Sequence, residues 1–140
     1  MMKIFIDTNV LLDVLAERRP FYDASAEIIS LFEKDQAEGF ISAMSFNNTH
    51  YILRKRIGKN RAIKAMRTLL DTFHVVSLDE KILNRTIDAD FGDFEDGIQF
   101  FSAIRSSADY LITRNVKDFP HRDIPILAPE EFLKLKLDFS

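Results

Sequence analysis

The sequence predicts an α/β fold: a three-layer α/β/α sandwich around a central parallel sheet of about five strands. Short apolar runs alternate with longer segments of helical period along the chain. Parallel strands need a long crossover between them, and the helical segments supply it. At 140 residues, 46% apolar and 29% charged, the chain has the size and composition of one soluble globular domain, taken as residues 1–140.

KIFI, Lys3 to Ile6, forms the first strand, and TNVLLDVL opens a helix directly after Asp7. From Phe21 to Asp35, Ala24, Ile28, Leu31 and Phe32 recur at helical spacing. Gly39 precedes FIS, the second strand, and MSFNNTHYILRKR resumes the helical period up to Gly58. Arg61 to Leu70 forms another helix, with Ile63, Met66, Leu69 and Leu70 turned inward. FHVVSL is the third strand, and Glu80–Ala89 and Glu95–Arg105 are helices, the second burying Ile98, Phe101 and Ile104. DYLIT makes the fourth strand and PIL the fifth, before PEEFLKL, a helix with Pro129 in its first turn.

The absence of cysteine excludes disulfides and thiolate zinc sites and suits a reducing cytoplasm. Asp7, Asn9 and Asp13 break up the N-terminus before a secretory signal can form, and no apolar run reaches the roughly 20 residues of a membrane span. The expectation is a cytoplasmic protein without membrane attachment. There is neither a repeat nor a low-complexity tract. Net charge is only −3, but the charges are segregated. Arg54, Lys55, Arg56, Lys59, Arg61, Lys64 and Arg67 follow one another with no intervening acid, whereas DADFGDFED carries five acids and no base. Such segregation makes either two solvated helix faces or a basic surface beside an acidic pocket.

Ligands of parallel sheets bind beyond the carboxyl ends of strands, where the strand order reverses. Asp7 follows the first strand, and as a helix N-cap it would accept from the N–H of Asn9 or Val10. Asp93 can cap the helix that contains Glu95 and Asp96. Thr113 ends the fourth strand, with Asn115 and Asp118 in the loop beyond it. Capping or turn chemistry explains each of these residues alone. Together, in a parallel sheet, Asp7, Thr113, Asn115 and Asp118 leave the same edge, and the helix carrying Asp96 begins there. Converging carboxylates repel unless a cation neutralises them, and oxygen-only ligands suit Mg²⁺ or Mn²⁺.

The apolar-IDTNVLLD start, SAMSFNNTHYIL, DFEDGIQFFSA and DYLITRNVKDF, in that order and spacing, resemble a PIN domain, and among these the VapC-type toxins of toxin–antitoxin pairs. The resemblance spans nearly the whole chain. It implies a Mg²⁺- or Mn²⁺-dependent ribonuclease, a homodimer, and a cognate antitoxin as partner. Carried over, Asp7, Asp96 and Asp118 would be the catalytic metal ligands, supported by Thr8, Thr113 and Asn115, with Asp93 and Glu95 close by. Asn48 stands where many relatives have glutamate. On a helix it shares a face with Met44, Tyr51 and Ile52 and points toward the sheet, where it either contributes an oxygen without charge or ties down local backbone.

The implied chemistry is hydrolysis of RNA phosphodiesters, with the protein supplying ligands rather than a nucleophile. His50, His74 and His121 lack zinc-ligand spacing, and GxSxG, P-loop and GxGxxG motifs are absent. Arg54, Lys55, Arg56, Lys59 and Arg61 are candidates for the RNA backbone, with Arg114 and Lys117 nearer the acids. Tyr51 and Phe119 could stack bases but are read as core residues, and Phe21, Tyr22, Phe32 and Phe46 are read as mostly core, the alternative for some of them being the lining of a dimer or antitoxin groove. Two other functions compete: a catalytically weakened PIN-like module that binds RNA or a partner, and an aspartyl-phosphate phosphotransferase with Asp7 as nucleophile.

Overall fold

The computed structural model describes residues 1–119 and 123–139. Its strands are β1 (Lys3–Ile6), β2 (Glu38–Ser42), β3 (His74–Val76), β4 (Tyr110–Ile112) and β5 (Ile126–Leu127). Its helices are α1 (Thr8–Leu15), α2 (Tyr22–Glu33), α3 (Ala43–Ile57), α4 (Lys59–Thr72), α5 (Glu80–Ala89), α6 (Phe94–Arg105) and α7 (Pro129–Leu133). The strands form one sheet in the order β3-β2-β1-β4-β5, and every neighbouring pair is parallel. From β1 the chain first builds outward through β2 and β3, then returns to add β4 on the other side. The order therefore reverses between β1 and β4, where a parallel sheet opens a crevice.

Side-chain alternation along β1 separates the two covering layers. Ile4 and Ile6 enter a core with Ile28 and Phe32 of α2 and Phe132 of α7, whereas Phe5 enters the opposite core with Ile82 of α5 and Ile98 and Phe100 of α6. Each such buried side chain contributes about 1.5–3 kcal/mol, so β1, covered on both faces, anchors the sheet. Within α6, Gly97 permits close approach to α5: a Cβ there would stand 2.6 Å from Thr86 Cγ2. Among the described residues no helix is long and apolar enough to cross a membrane.

Three details differ from the sequence reading. Gly39 lies inside β2 rather than before it, beneath the ring of Phe32, which leaves no room for a Cβ. On α4 the inward stripe passes through Ala62 and Leu69, while Ile63 and Leu70 are 55% and 49% exposed. The helix packs through a narrow seam against Leu12 and Leu53, and the rotation of about 100° per residue carries Ile63 and Leu70 out of it. Ile104 is only half-buried, and Phe100 takes the central place on α6 instead. His121 lies outside the described residues.

Candidate active site

Asp7 is the first residue past β1 and is only 5% exposed. Its Oδ1 accepts from the Thr8 N–H at 2.8 Å, and its Oδ2 accepts from the Thr113 hydroxyl at 2.8 Å. The cap thus engages Thr8, not the Asn9 or Val10 expected from sequence, because the other carboxylate oxygen is drawn across to β4. The same Thr113 Oγ1 receives the Asn115 N–H at 3.1 Å, tying the loop after β4 to the end of β1. That loop closes in a short 3₁₀ turn, Val116–Asp118, in which the Asp118 N–H donates to the Asn115 carbonyl at 2.9 Å. At the start of α6, Asp93 Oδ1 accepts from the Asp96 N–H at 3.1 Å, so the helix begins with its acids at the sheet's carboxyl edge.

These segments enclose a hollow of about 400 Å³, lined by Asp7, Asp93, Glu95, Asp96 and Asp118 together with Thr8, Asn48 and Asn115 and, among the described residues, by no lysine or arginine. Burial, followed by the charges of Asp93, Asp7, Asp118 and Glu95, pushes the Asp96 carboxyl up to about 7. Burial also raises Asp7; the hydrogen bonds from Thr113 and Thr8 pull it back, and Glu95 and Asp93 push it further up. Such mutual repulsion needs a countercharge, and hard carboxylate, hydroxyl and amide oxygens are the donors that Mg²⁺ and Mn²⁺ prefer. By charge and donor type the hollow fits a divalent cation. Among the described residues, however, no group of three or more acids or histidines is arranged to hold a metal as it stands, so a bound ion would draw the side chains inward.

A PIN domain family model matches residues 3–117, a span that runs from the first residue of β1 to within the 3₁₀ turn before Asp118. The chain belongs to the PIN domain family. Ribonuclease VapC1 of Aquifex aeolicus is 27% identical to this PIN domain over 135 residues, covering 93% of this chain and 92% of that protein. Among solved structures, DNA-bound VapBC from Salmonella typhimurium superposes with a TM-score of 0.70 at 18% identity, covering 92% of this chain and 99% of the other. A toxin–antitoxin complex from Klebsiella pneumoniae gives 0.69 at 22% identity, covering 90% and 97%. These structural likenesses establish the three-layer fold.

Other sequence candidates of this PIN domain separate into those that reach the hollow and those that do not. Asn48 lines it, as does its neighbour Asn47. Tyr51 also lines it and is 62% exposed, so it is not the core residue expected; Phe119 is fully buried, as expected. Tyr51 lies on the rim because α3 turns only its Ser45, Thr49 and Leu53 edge fully inward. Arg54, Lys55 and Arg56 are in the last turn of α3, with Lys59 and Arg61 just beyond in α4, all exposed and outside the hollow's lining. Lys55 nevertheless reaches its rim, with Nζ 2.7 Å from the Tyr51 hydroxyl. Arg114 and Lys117 line a neighbouring depression with Asn115 and Asp118. Arg114 is also committed elsewhere, since its Nε lies 2.9 Å from Asp13 Oδ2.

Two participants escaped the sequence reading. Gln99, 2% exposed, donates from Nε2 to Thr8 Oγ1 at 2.9 Å, and Thr8 Oγ1 in turn lies 2.8 Å from Ser45 Oγ. Its signal was a polar residue three after Asp96 on an otherwise apolar helix face. Asp13, fully buried, contacts Arg18 Nε and Arg114 Nε at 2.9 Å each. Both contacts are ion pairs between a guanidinium and the one carboxylate. Burial pushes the Asp13 carboxyl up, while Arg114 and Arg18 pull it down.

Proposed function

We propose that this PIN domain, acting as one domain over residues 1–140, is a Mg²⁺- or Mn²⁺-dependent endoribonuclease. In this reading it is the cytoplasmic toxin of a toxin–antitoxin pair, a homodimer restrained by a cognate antitoxin. The observation that carries the reading is the convergence of Asp7, Asp93, Glu95, Asp96 and Asp118 on one hollow that, among the described residues, no basic side chain lines. Support also comes from the ribonuclease named among its relatives and from the toxin–antitoxin assemblies among the structures of like fold.

Asp7, Asp96 and Asp118 would hold the cation. Bound there, it supplies the charge that activates water, polarises the phosphoryl oxygen and stabilises the leaving alkoxide. Thr113 and the Thr8 N–H fix the Asp7 carboxylate, Asp93 holds the first turn of α6 behind Asp96, and Gln99 anchors Thr8. Asn48 adds a neutral oxygen, so it lowers the total negative charge relative to a glutamate and weakens the hold on a second cation. Glu95 and Asp93 partly restore that charge. Arg54, Lys55, Arg56, Lys59, Arg61 and Lys117 attract the polyanionic backbone toward the acids without reading its sequence.

Asp7 is a poor covalent nucleophile, because both of its oxygens accept hydrogen bonds and it is buried. The deciding experiment compares cleavage of single-stranded RNA in Mg²⁺ or Mn²⁺ by the wild type and Asp96→Asn. Cleavage by the wild type that the variant loses is expected; equal activity rejects the assigned site. Calorimetry with Mn²⁺ separates the enzyme from a binding module: the module would bind RNA without cutting it and without taking up the ion.

A further inference from the structure

A second hollow, of about 350 Å³, adjoins the acidic one and shares Asn115 with it. Phe21, Arg114 and the Ala128–Pro129–Glu130 segment form its walls. That last segment lies beyond the residues matched by the family model. The Phe21 ring is 37% exposed, and the Arg114 guanidinium lies over it with Cζ 4.1 Å from the ring centroid. Asp13, shared with Arg18, holds Arg114 and offsets part of its charge. This guanidinium is therefore a rigid planar wall rather than a loose phosphate clamp.

We propose that this hollow is the subsite for one nucleobase of the RNA, the base next to the phosphate presented to the acids. The inference rests on the ribonuclease reading above. The guanidinium plane of Arg114, backed by the Phe21 ring, makes a flat surface on which a base stacks. The exposed Glu130 carboxylate borders the hollow. It repels phosphate but accepts from the amino group of cytosine, adenine or guanine. Uracil has no amino group, so Glu130 becomes a specificity-determining residue that disfavours uracil. Continuity through Asn115 places the bound base beside the scissile phosphate rather than at a distant site.

The test uses the purified full chain with Mn²⁺ and a random-sequence single-stranded oligoribonucleotide pool, sequencing both new ends of the products. At one position beside the cut, uracil should be depleted about five- to tenfold relative to the amino-bearing bases. Glu130→Gln should flatten that bias, because an amide both donates and accepts. Phe21→Leu should flatten it at the same position and raise KM several-fold while kcat changes little. Should Phe21→Leu fail to fold, the surface substitution Glu130→Gln decides alone. A wild type without the bias, or both variants with the wild-type profile, overturns the subsite while leaving the nuclease intact. Unchanged profiles together with a lost hold on a protein partner assign the hollow to that partner and overturn it equally. A wild type that cleaves no better than Asp96→Asn removes the nuclease reading and the subsite with it.

Discussion

Helix α1 joins two acidic centres of opposite character. At its start Asp7 faces Asp93, Glu95, Asp96 and Asp118, and among the described residues no basic side chain lines their hollow. Near its end Asp13 is sealed from solvent between Arg18 and Arg114. Arg18 also donates to the Asn9 carbonyl at 3.3 Å, so the second centre braces the helix that carries the first. A carboxylate with its countercharge supplied by the chain is structural. One left to repel its neighbours is kept against stability, and such groups concentrate at functional sites. The contrast is sharper than either centre alone, because both acids sit on the same short helix.

Breaking the paired centre should have the largest effect. Asp13→Ala leaves two guanidiniums facing each other without their anion, and unfolding in urea should show a loss of about 3 kcal/mol, near the low end for a broken buried pair because both arginines retain some solvent. Asp96→Asn should do the reverse. It is expected to lower RNA cleavage at least about a hundredfold, since even outer partners of metal ligands are worth 10–100-fold. In EDTA, however, the same variant should melt at a higher temperature than the wild type, because one repelling charge is gone. A lower melting temperature would mean that the acids are already satisfied, and the comparison would fail.

Thr113→Val sharpens the contrast with a smaller change. It removes the hydroxyl that holds Asp7 Oδ2, and cleavage should fall about tenfold with the fold intact by circular dichroism. The smallest effect is on the pH dependence of stability. Asp96 has a folded pKa of about 7, above its ordinary value of 3.8, so the folded state binds this proton more tightly than the unfolded state does. Its destabilising contribution therefore develops as pH rises from about 4 to about 7 and stays constant above. Solvent screening reduces it to about 1 kcal/mol. Metal-free wild type should accordingly become more stable on going from pH 8 to pH 5.5 by more than Asp96→Asn does, measured by thermal melting at each pH.

Much of this molecule was legible from local pattern. The order of strands and helices follows from the alternation of apolar runs with helical periods, α1 begins where the sequence reading put it, and α5 both begins and ends there. The acids were legible too, since each stands just after a strand or in a helix's first turn, positions that parallel topology places on one edge. Less legible was the side each helix turns inward when two stripes are comparably apolar. On α4 the choice between the Ile63–Leu70 side and the Ala62–Leu69 side depends on the partner helix. Gln99 and Asp13 were hidden for a related reason, because a polar residue within an apolar stretch acquires a role only through partners far along the chain.

The sequence by itself determined the fold class, the helix starts and the residue types able to gather a cation, because backbone propensity, hydrophobic period and capping act over a few neighbours. Only the tertiary structure decided which charges meet. Coulomb interaction and desolvation depend on distance through space, so the pairing of Arg114 with Asp13 and the upward shift of the Asp96 carboxyl arise only once β1, β4 and α6 come together.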